Sequence, residues 1–222
     1  MVPIPPMEMP PVYVAEPVSV VQQLYAPLVG AAARTRPLGQ QLDLLAGRLR
    51  QGFADAHPGA LVELAIWHPD AAAGAALRLP IEAARLAVAR EHGFDDWAAV
   101  ERARTRMPRP AFEAALDALL SGHHGELAAA LDASPDLATA RSHLGHGATL
   151  LHYLAASGVE VYRRSVPLNA AGLARLLLDR GADPKAPARL HGRPATVLSL
   201  LTTSAHPVAA GVDAAIIAIL TS

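Results

Sequence analysis

The chain of 222 residues contains no cysteine. This absence excludes disulfide bonds, thiolate ligands for a metal ion and a cysteine nucleophile. Aromatic residues make up only 4% of the sequence, whereas alanine and leucine are abundant. Because aromatic and β-branched residues favour strands, and alanine and leucine favour helices, this composition predicts an all-α protein.

The sequence also lacks an excess of positive charge. It holds 19 lysines and arginines against 20 aspartates and glutamates, for a formal net charge of −1. Proteins that bind nucleic acids usually place a basic surface against the phosphates, so we expect no nucleic-acid partner. No run of roughly 18 uncharged apolar residues, the length of a membrane-spanning helix, occurs either. We therefore expect a protein that works in the cytoplasm without a membrane partner.

Proline is concentrated at the N-terminus, where it occupies six of the first 17 positions. Because proline lacks a backbone donor and favours extended structure, residues 1–36 are predicted to form an extended or disordered arm. A short helix is the alternative for residues 18–28, since Val21, Leu24 and Leu28 would share one side of it.

Helical periodicity begins after residue 36 and predicts a helical lead-in region over residues 37–108. Within it we expect helices over residues 38–53, 59–67 and 81–92. Gly93 can end the third of these with a positive φ, and Phe94 can then pack back on the helix. Asp95 or Asp96 can cap the helix that follows.

The strongest pattern lies in two segments of the second half. Residues 147–158 contain Thr149-Leu-Leu-His152, and residues 173–183 end in Gly-Ala-Asp after Leu173, Leu176 and Leu177, which share one helical face. Together the two segments resemble one ankyrin repeat, which is a helix opened by a T-P-L-H box, a break at glycine and a second helix. Residues 89–97 (AREHGFDDW) are similar to a segment that precedes the repeats in a group of bacterial ankyrin proteins.

The resemblance implies a short solenoid of about three divergent repeats over residues 109–222. A first repeat would span residues 112–131 without the box, and a third, looser one would span residues 192–220. An insertion at residues 159–168 separates the two helices of the second repeat, and the resemblance leaves its role open. The C-terminal helix lacks the usual polar cap, so its apolar face either turns inward or meets another molecule, as in a homodimer.

Ankyrin proteins hold protein partners with the tips of their turns and with the concave surface of their first helices. The resemblance therefore implies a non-enzymatic protein–protein interaction scaffold that needs no cofactor. The positions that correspond to this surface are His143, Leu144, His146, Tyr153, Lys185, Arg189, His191 and Arg193.

The ten histidines suggest an alternative, a metal-dependent hydrolase that uses His123, His124, His143 and His146. A zinc site needs three or four ligands that converge on one point, and the spacing of these residues does not by itself provide that. The sequence also contains no H-E-x-x-H, G-x-S-x-G or P-loop motif. The scaffold is therefore the preferred interpretation, and we assign no catalytic or metal-binding residue.

Overall fold

The structure is a computed structural model that describes residues 11–68, 70 and 78–222. These residues form twelve α-helices and two short antiparallel strand pairs, so the expected predominance of helix is confirmed. The N-terminal half contains α1 (Glu16–Tyr25), α2 (Leu38–Ala54), α3 (Pro58–Trp67), α4 (Ile81–Glu91) and α5 (Trp97–Ala103). The C-terminal half contains α6 (Pro110–Leu120), α7 (His124–Ala133), α8 (Leu150–Tyr153), α9 (Ala170–Asp179), α10 (Val197–Leu201), α11 (Ala205–Ala209) and α12 (Asp213–Thr221).

The first strand precedes α1, and the other three strands lie in connections between helices. Strand β1 (Val12–Tyr13) pairs with β2 (Val166–Pro167), and so joins the start of the described chain to the C-terminal half. Strand β3 (Ala188–Leu190) pairs with β4 (Arg193–Ala195) in a tight hairpin before α10. His191 and Gly192 form the turn of this hairpin with φ values of 52° and 75°, which suit a two-residue turn whose twist matches the strands.

Helix α1 corrects the expectation of an extended arm up to residue 36. Pro17 lies in the first turn of α1, where a missing backbone donor breaks no helical hydrogen bond. The side chains of Val18, Val21 and Leu24 are buried, and α1 packs on α3. The prediction of an extended arm is therefore wrong for these residues. Burial of the apolar side chains along one face of the helix outweighs the preference of the nearby prolines for extended structure. Residues 1–10, the most proline-rich part of that arm, lie outside the described residues.

The apolar side chains form two cores, one in each half. The first core joins α1 to α5, and it also contains Leu144 and Val161 from the C-terminal half. The second core joins α6 to α12. Two segments of the C-terminal half thus insert apolar side chains into the N-terminal half, so the halves pack against each other along these segments.

The insertion at residues 159–168 is one of these two segments. Its 3₁₀ turn, Val161–Arg163, packs on α1. The side-chain amide of Gln22 donates to the carbonyl oxygen of Tyr162 at 3.1 Å and to Oγ of Ser165 at 3.2 Å. Strand β2 follows and pairs with β1. The insertion therefore attaches the first helix to the C-terminal half.

The C-terminal helix α12 turns only part of its apolar surface inward. Ile216 is fully buried, whereas Ile217, Ile219 and Leu220 are half-buried against the second core. The helix packs on α9 and α10. No helix in the described ranges combines the length and the apolar character that crossing a membrane requires.

Candidate functional site

The turn that precedes α8 contacts the corner between α4 and α5. The amide of Gly145 donates a hydrogen bond of 2.9 Å to the carbonyl of His92. Gly93 has a φ of 80°, and a Cβ atom placed on it would lie 2.1 Å from the backbone nitrogen of His146. Only glycine fits such a close approach of two backbones. The N-terminal half therefore covers this turn.

This contact changes the interpretation of four predicted partner-binding residues. Leu144 packs in the first core, and His146 and Tyr153 are also buried, with exposed fractions of 6%, 2% and 0% for the three residues. His143 is half-buried. The prediction of a partner-facing surface is therefore wrong for Leu144, His146 and Tyr153. It assumed a free turn, whereas here the chain itself occupies that side of the turn.

An unusual set of buried polar side chains lies where the two halves meet. Glu63 and Glu91 come from the N-terminal half, whereas Glu113 and Glu160 come from the C-terminal half, and none of the four is more than 2% exposed. Burial of a carboxylate is costly unless an opposite charge or hydrogen bonds compensate for it. The compensating groups lie close by, and we call the whole set the junction network: Glu63, Glu91, His92, Glu113, His143, His146, Glu160, Arg163 and Arg164.

Arg163 stands between two of these carboxylates. Its Nη2 atom lies 2.7 Å from Oε2 of Glu113, and its Nε atom lies 3.7 Å from Oε1 of Glu160. Burial alone would raise the pKa of both carboxyls, but the charge of Arg163 and hydrogen bonds from His143 and His146 outweigh it. The pKa of each carboxyl is therefore held below its ordinary value, and both remain ionised.

Hydrogen bonds to the backbone orient two histidines of the network, His92 and His146. Nδ1 of His146 accepts a hydrogen bond from the amide of Ala148, so its proton lies on Nε2, which is 3.3 Å from Oε2 of Glu160. Nδ1 of His92 lies 2.8 Å from the carbonyl of Val88 and therefore carries the proton of that ring. The His92 ring thus donates to a backbone carbonyl, and Nε2 of His146 faces the Glu160 carboxylate.

Glu63 and Glu91 form the other end of the network. Oε1 of Glu91 accepts a hydrogen bond of 2.8 Å from the amide of Val161, in the insertion. Burial raises the pKa of Glu63 well above its ordinary value, and the neighbouring Glu91 raises it further. The Glu63 carboxyl therefore keeps its proton well into the pH range in which an exposed glutamate has lost it.

A small cavity lies within the junction network. Its volume is about 30 Å³, and its polar lining includes Glu113, His143, Glu160 and Arg163. Such a volume accommodates about two water molecules, which is too little for an organic substrate. Among the described residues, those that line the cavity include no serine, threonine or cysteine that could act as a nucleophile. The geometry is that of a polar contact between two halves of a protein.

The four histidines of the metal-site alternative are not brought together. Nδ1 of His123 lies 3.5 Å from Glu126, whereas His143 faces Glu113 and His146 faces Glu160. His124 is exposed at the start of α7. Among the described residues, no three histidine, aspartate or glutamate side chains are arranged to hold a metal ion. The geometry therefore gives the metal-dependent hydrolase no support.

The other four predicted partner-binding residues lie on or beside the β3–β4 hairpin. Lys185, Arg189, His191 and Arg193 are all exposed. The His191 ring stacks on Trp67 of α3, with ring centres 5.9 Å apart and planes inclined by 18°. Arg189 forms an ion pair with Asp95, with one N–O distance of 2.9 Å. The hairpin tip therefore also contacts the N-terminal half but keeps one side open to solvent.

A groove of about 460 Å³ separates the hairpin tip from α3 and α4. Its walls include the side chains of Ile66, Trp67, Arg90, Phe94 and His191. Ile66, Trp67 and Arg90 are not among the predicted site residues, because the sequence pattern around them indicates only helix packing. The one available signal was a large aromatic residue at a helix end, in a chain with few aromatics.

Comparisons with protein-family models, with curated proteins and with solved structures found no match to this chain.

Proposed function

We propose that this chain is a non-enzymatic protein–protein interaction scaffold, in which about three ankyrin-like repeats over residues 109–222 are capped by the N-terminal half. Three successive helical units support the repeats: α6 with α7, α8 with α9, and α10 and α11 with α12. Oγ1 of Thr149 lies 2.8 Å from Nδ1 of His152, the contact expected of a T-P-L-H box. Thr196 and Ser199 form a similar capping box at the start of α10.

The N-terminal half has the role of a cap in this proposal. Helical repeats bury their apolar faces only against neighbours, so the first repeat needs a cover. Helix α6 contacts the 3₁₀ turn Ala31–Thr35, and Leu144 and Val161 enter the first core. The resemblance of the AREHGFDDW segment leads us to propose a bacterial ankyrin protein, and its Gly93 lies against His146 where the cap meets the repeats. A cysteine-free chain suits the cytoplasm, where we propose that it acts.

The observation that carries the proposal is the exposed side of the β3–β4 hairpin. The turn before α8 is covered, so the basic residues Lys185, Arg189, His191 and Arg193 remain as the open part of the predicted partner surface. A protein partner can contact them without separating the two halves. The half-buried residues of α12 leave a homodimer as a weaker candidate, which the same experiment can detect.

The test is affinity capture from a lysate of the source cells, with two matched double variants. The first combines Lys185→Glu, next to the hairpin, with Arg193→Glu, within it, and so reverses two positive charges. Arg50→Glu with Arg102→Glu makes the same change in net charge at exposed positions of α2 and α5. We expect the unaltered chain and the control variant to retain the same protein, and the hairpin variant to lose it, with helicity unchanged in all three.

Two results would contradict the proposal. Capture that is equal in both variants would place the binding surface elsewhere. Failure to retain any protein, together with a monomeric mass in light scattering, would remove the scaffold function itself.

A further inference from the structure

The groove between the hairpin and α3 carries positive charge that the chain does not neutralise. Nη1 of Arg90 donates to the carbonyl of Trp67 at 3.1 Å, an uncharged acceptor. Within the described part of the chain, neither Arg90 nor Arg193 lies within ion-pair distance of a carboxylate, whereas the nearby Arg189 is paired with Asp95. Arg90, which lines the groove, and Arg193, which is exposed in β4 next to the hairpin turn, therefore remain available to an acidic ligand.

Further positive charge lies behind the groove wall. The guanidinium of Arg164 lies over the Trp67 ring, 5.7 Å from its centre, and His191 stacks on the same ring. The pKa of His191 is lowered by burial and then by the charges of Arg164 and Arg193. Glu91 and Glu160 lie near Arg164 inside the protein and offset its charge. Among the described residues that line the groove, Asp95, already paired with Arg189, is the one acidic side chain.

The solvent-exposed side of α3 next to the groove carries apolar side chains. Ile66, at the rim, is 40% exposed, and Leu61, one turn earlier and about 140° around the solvent-exposed side of α3, is 46% exposed. Ala65 lies between them and is also exposed. Two exposed large aliphatic side chains beside uncompensated arginines form a surface that is both apolar and basic.

We propose that this groove binds a segment of a partner protein that combines acidic side chains with one or two large apolar side chains. The inference rests on the proposed scaffold function and names the chemistry of its partner. The acidic side chains would pair with Arg90 and Arg193, and the apolar ones would cover Ile66 and Trp67. A nucleic-acid strand is disfavoured, because the protein has a net charge of −1 and aliphatic side chains lie next to the groove.

The test is a titration that uses Trp67 as the reporter. In the Trp97→Phe variant, Trp67 is the remaining tryptophan. The probes are three short peptides of equal length that contain leucine with glutamate, with glutamine or with lysine. We expect the glutamate peptide to change the fluorescence saturably, with an affinity at least about tenfold higher than that of the glutamine peptide, and to bind more weakly as salt is added.

A charge-reversal variant provides the specificity control. Arg90→Glu with Arg193→Glu should lose the glutamate peptide and gain the lysine peptide, whereas Arg50→Glu with Arg102→Glu should behave like the parent. The gain of a new ligand cannot result from misfolding, so this result tests the groove directly.

Three outcomes would overturn the inference. These are equal affinity for the glutamate and glutamine peptides, binding that the charge reversal leaves unchanged, and tighter binding of a single-stranded oligonucleotide than of the glutamate peptide. If one of them occurs while the hairpin variant still loses its captured protein, the scaffold function stands and only the partner chemistry is wrong. If the peptide binds but no protein is captured, the groove stands and the scaffold function falls.

Discussion

The amide of Gly145 donates a hydrogen bond of 2.9 Å to the carbonyl of His92, and so joins the turn before α8 to the end of α4. The two residues are far apart in the sequence and belong to different halves of the chain. Their contact is possible because neither Gly145 nor the adjacent Gly93 has a side chain at this point. The same contact removes part of the predicted partner surface from solvent.

The first prediction concerns Gly93. In Gly93→Ala, the new Cβ would meet the backbone of His146 at 2.1 Å, at a φ of 80°. Gly181→Ala is the matched control, because its φ of 89° is as strained while nothing lies within 4 Å of its Cβ. We expect the control to lose about 1 kcal/mol of unfolding free energy, and Gly93→Ala to lose about 3 kcal/mol or more. Equal losses in urea unfolding would contradict the close contact.

The second prediction concerns the pH dependence caused by Glu63. Its pKa is raised by burial, so the folded state binds more protons than the unfolded state above the ordinary glutamate pKa of about 4.3. Stability should therefore fall as pH rises from there to the folded pKa, by at most about 1.4 kcal/mol per pH unit. Glu63→Gln should remove this slope, whereas Glu82→Gln, at an exposed position of α4, should keep it. If plots of unfolding free energy against pH are parallel for the parent and both variants, Glu63 is not the source of the slope.

The third prediction concerns Arg163. Arg163→Met would leave Glu113 and Glu160 buried without their cation, and we expect a loss of about 3–5 kcal/mol at neutral pH. Further replacement of both glutamates by glutamine should recover most of it, since the uncompensated charges would be gone. Chemical denaturation of the single and triple variants measures both effects. A triple variant as unstable as the single one would show that Arg163 acts through packing instead.

The lowered pKa values of Glu113 and Glu160 make stability depend on pH with a sign opposite to that caused by Glu63. Because the folded carboxyls hold their protons less tightly than the unfolded ones, their stabilising effect is present above about pH 4.3 and is lost as pH falls below it.

Sequence reasoning succeeded where the determinants are local. The helices of the lead-in region begin and end close to their expected positions. Gly93 has the expected positive φ, and the amide of Phe94 donates to the carbonyl of Ala89 as a helix end of this kind requires. Asp96, one of two candidates, caps α5 through the amide of Ala99. Each of these features depends on residues within one or two helical turns.

The junction network could not be predicted in this way. Glu91 accepts a hydrogen bond from Val161, 70 positions further along the chain. The insertion mixes apolar and charged residues, and nothing in its local pattern indicates that Glu160 and Arg164 are buried and Arg163 half-buried. Their burial follows from the packing of the insertion on α1, a helix that the prolines of the N-terminal region concealed.

The fourth prediction concerns the ring of His152. Burial lowers its pKa to about 4, and Nδ1 accepts hydrogen bonds from Thr149. Its ring signals in NMR should therefore stay constant between about pH 8 and about pH 5, because the ring remains neutral there. Since the unfolded ring takes up its proton near pH 6.5, stability should decrease as pH falls from about 6.5 towards 4. A titration midpoint of the His152 ring signals near the ordinary histidine pKa would contradict the hydrogen bonds between Thr149 and His152.

The N-terminal half covers the turn before α8, and the partner surface proposed for the hairpin requires that this cover stays closed in the native protein. Native-state hydrogen exchange of the Gly145 and Val161 amides tests this claim directly, because both donate across the junction. We predict that both exchange only through global unfolding, with the same opening free energy as the amides of α9 in the second core. Exchange through a separate opening of lower free energy would contradict the account, and would return His143, Leu144 and His146 to the surface that a partner can reach.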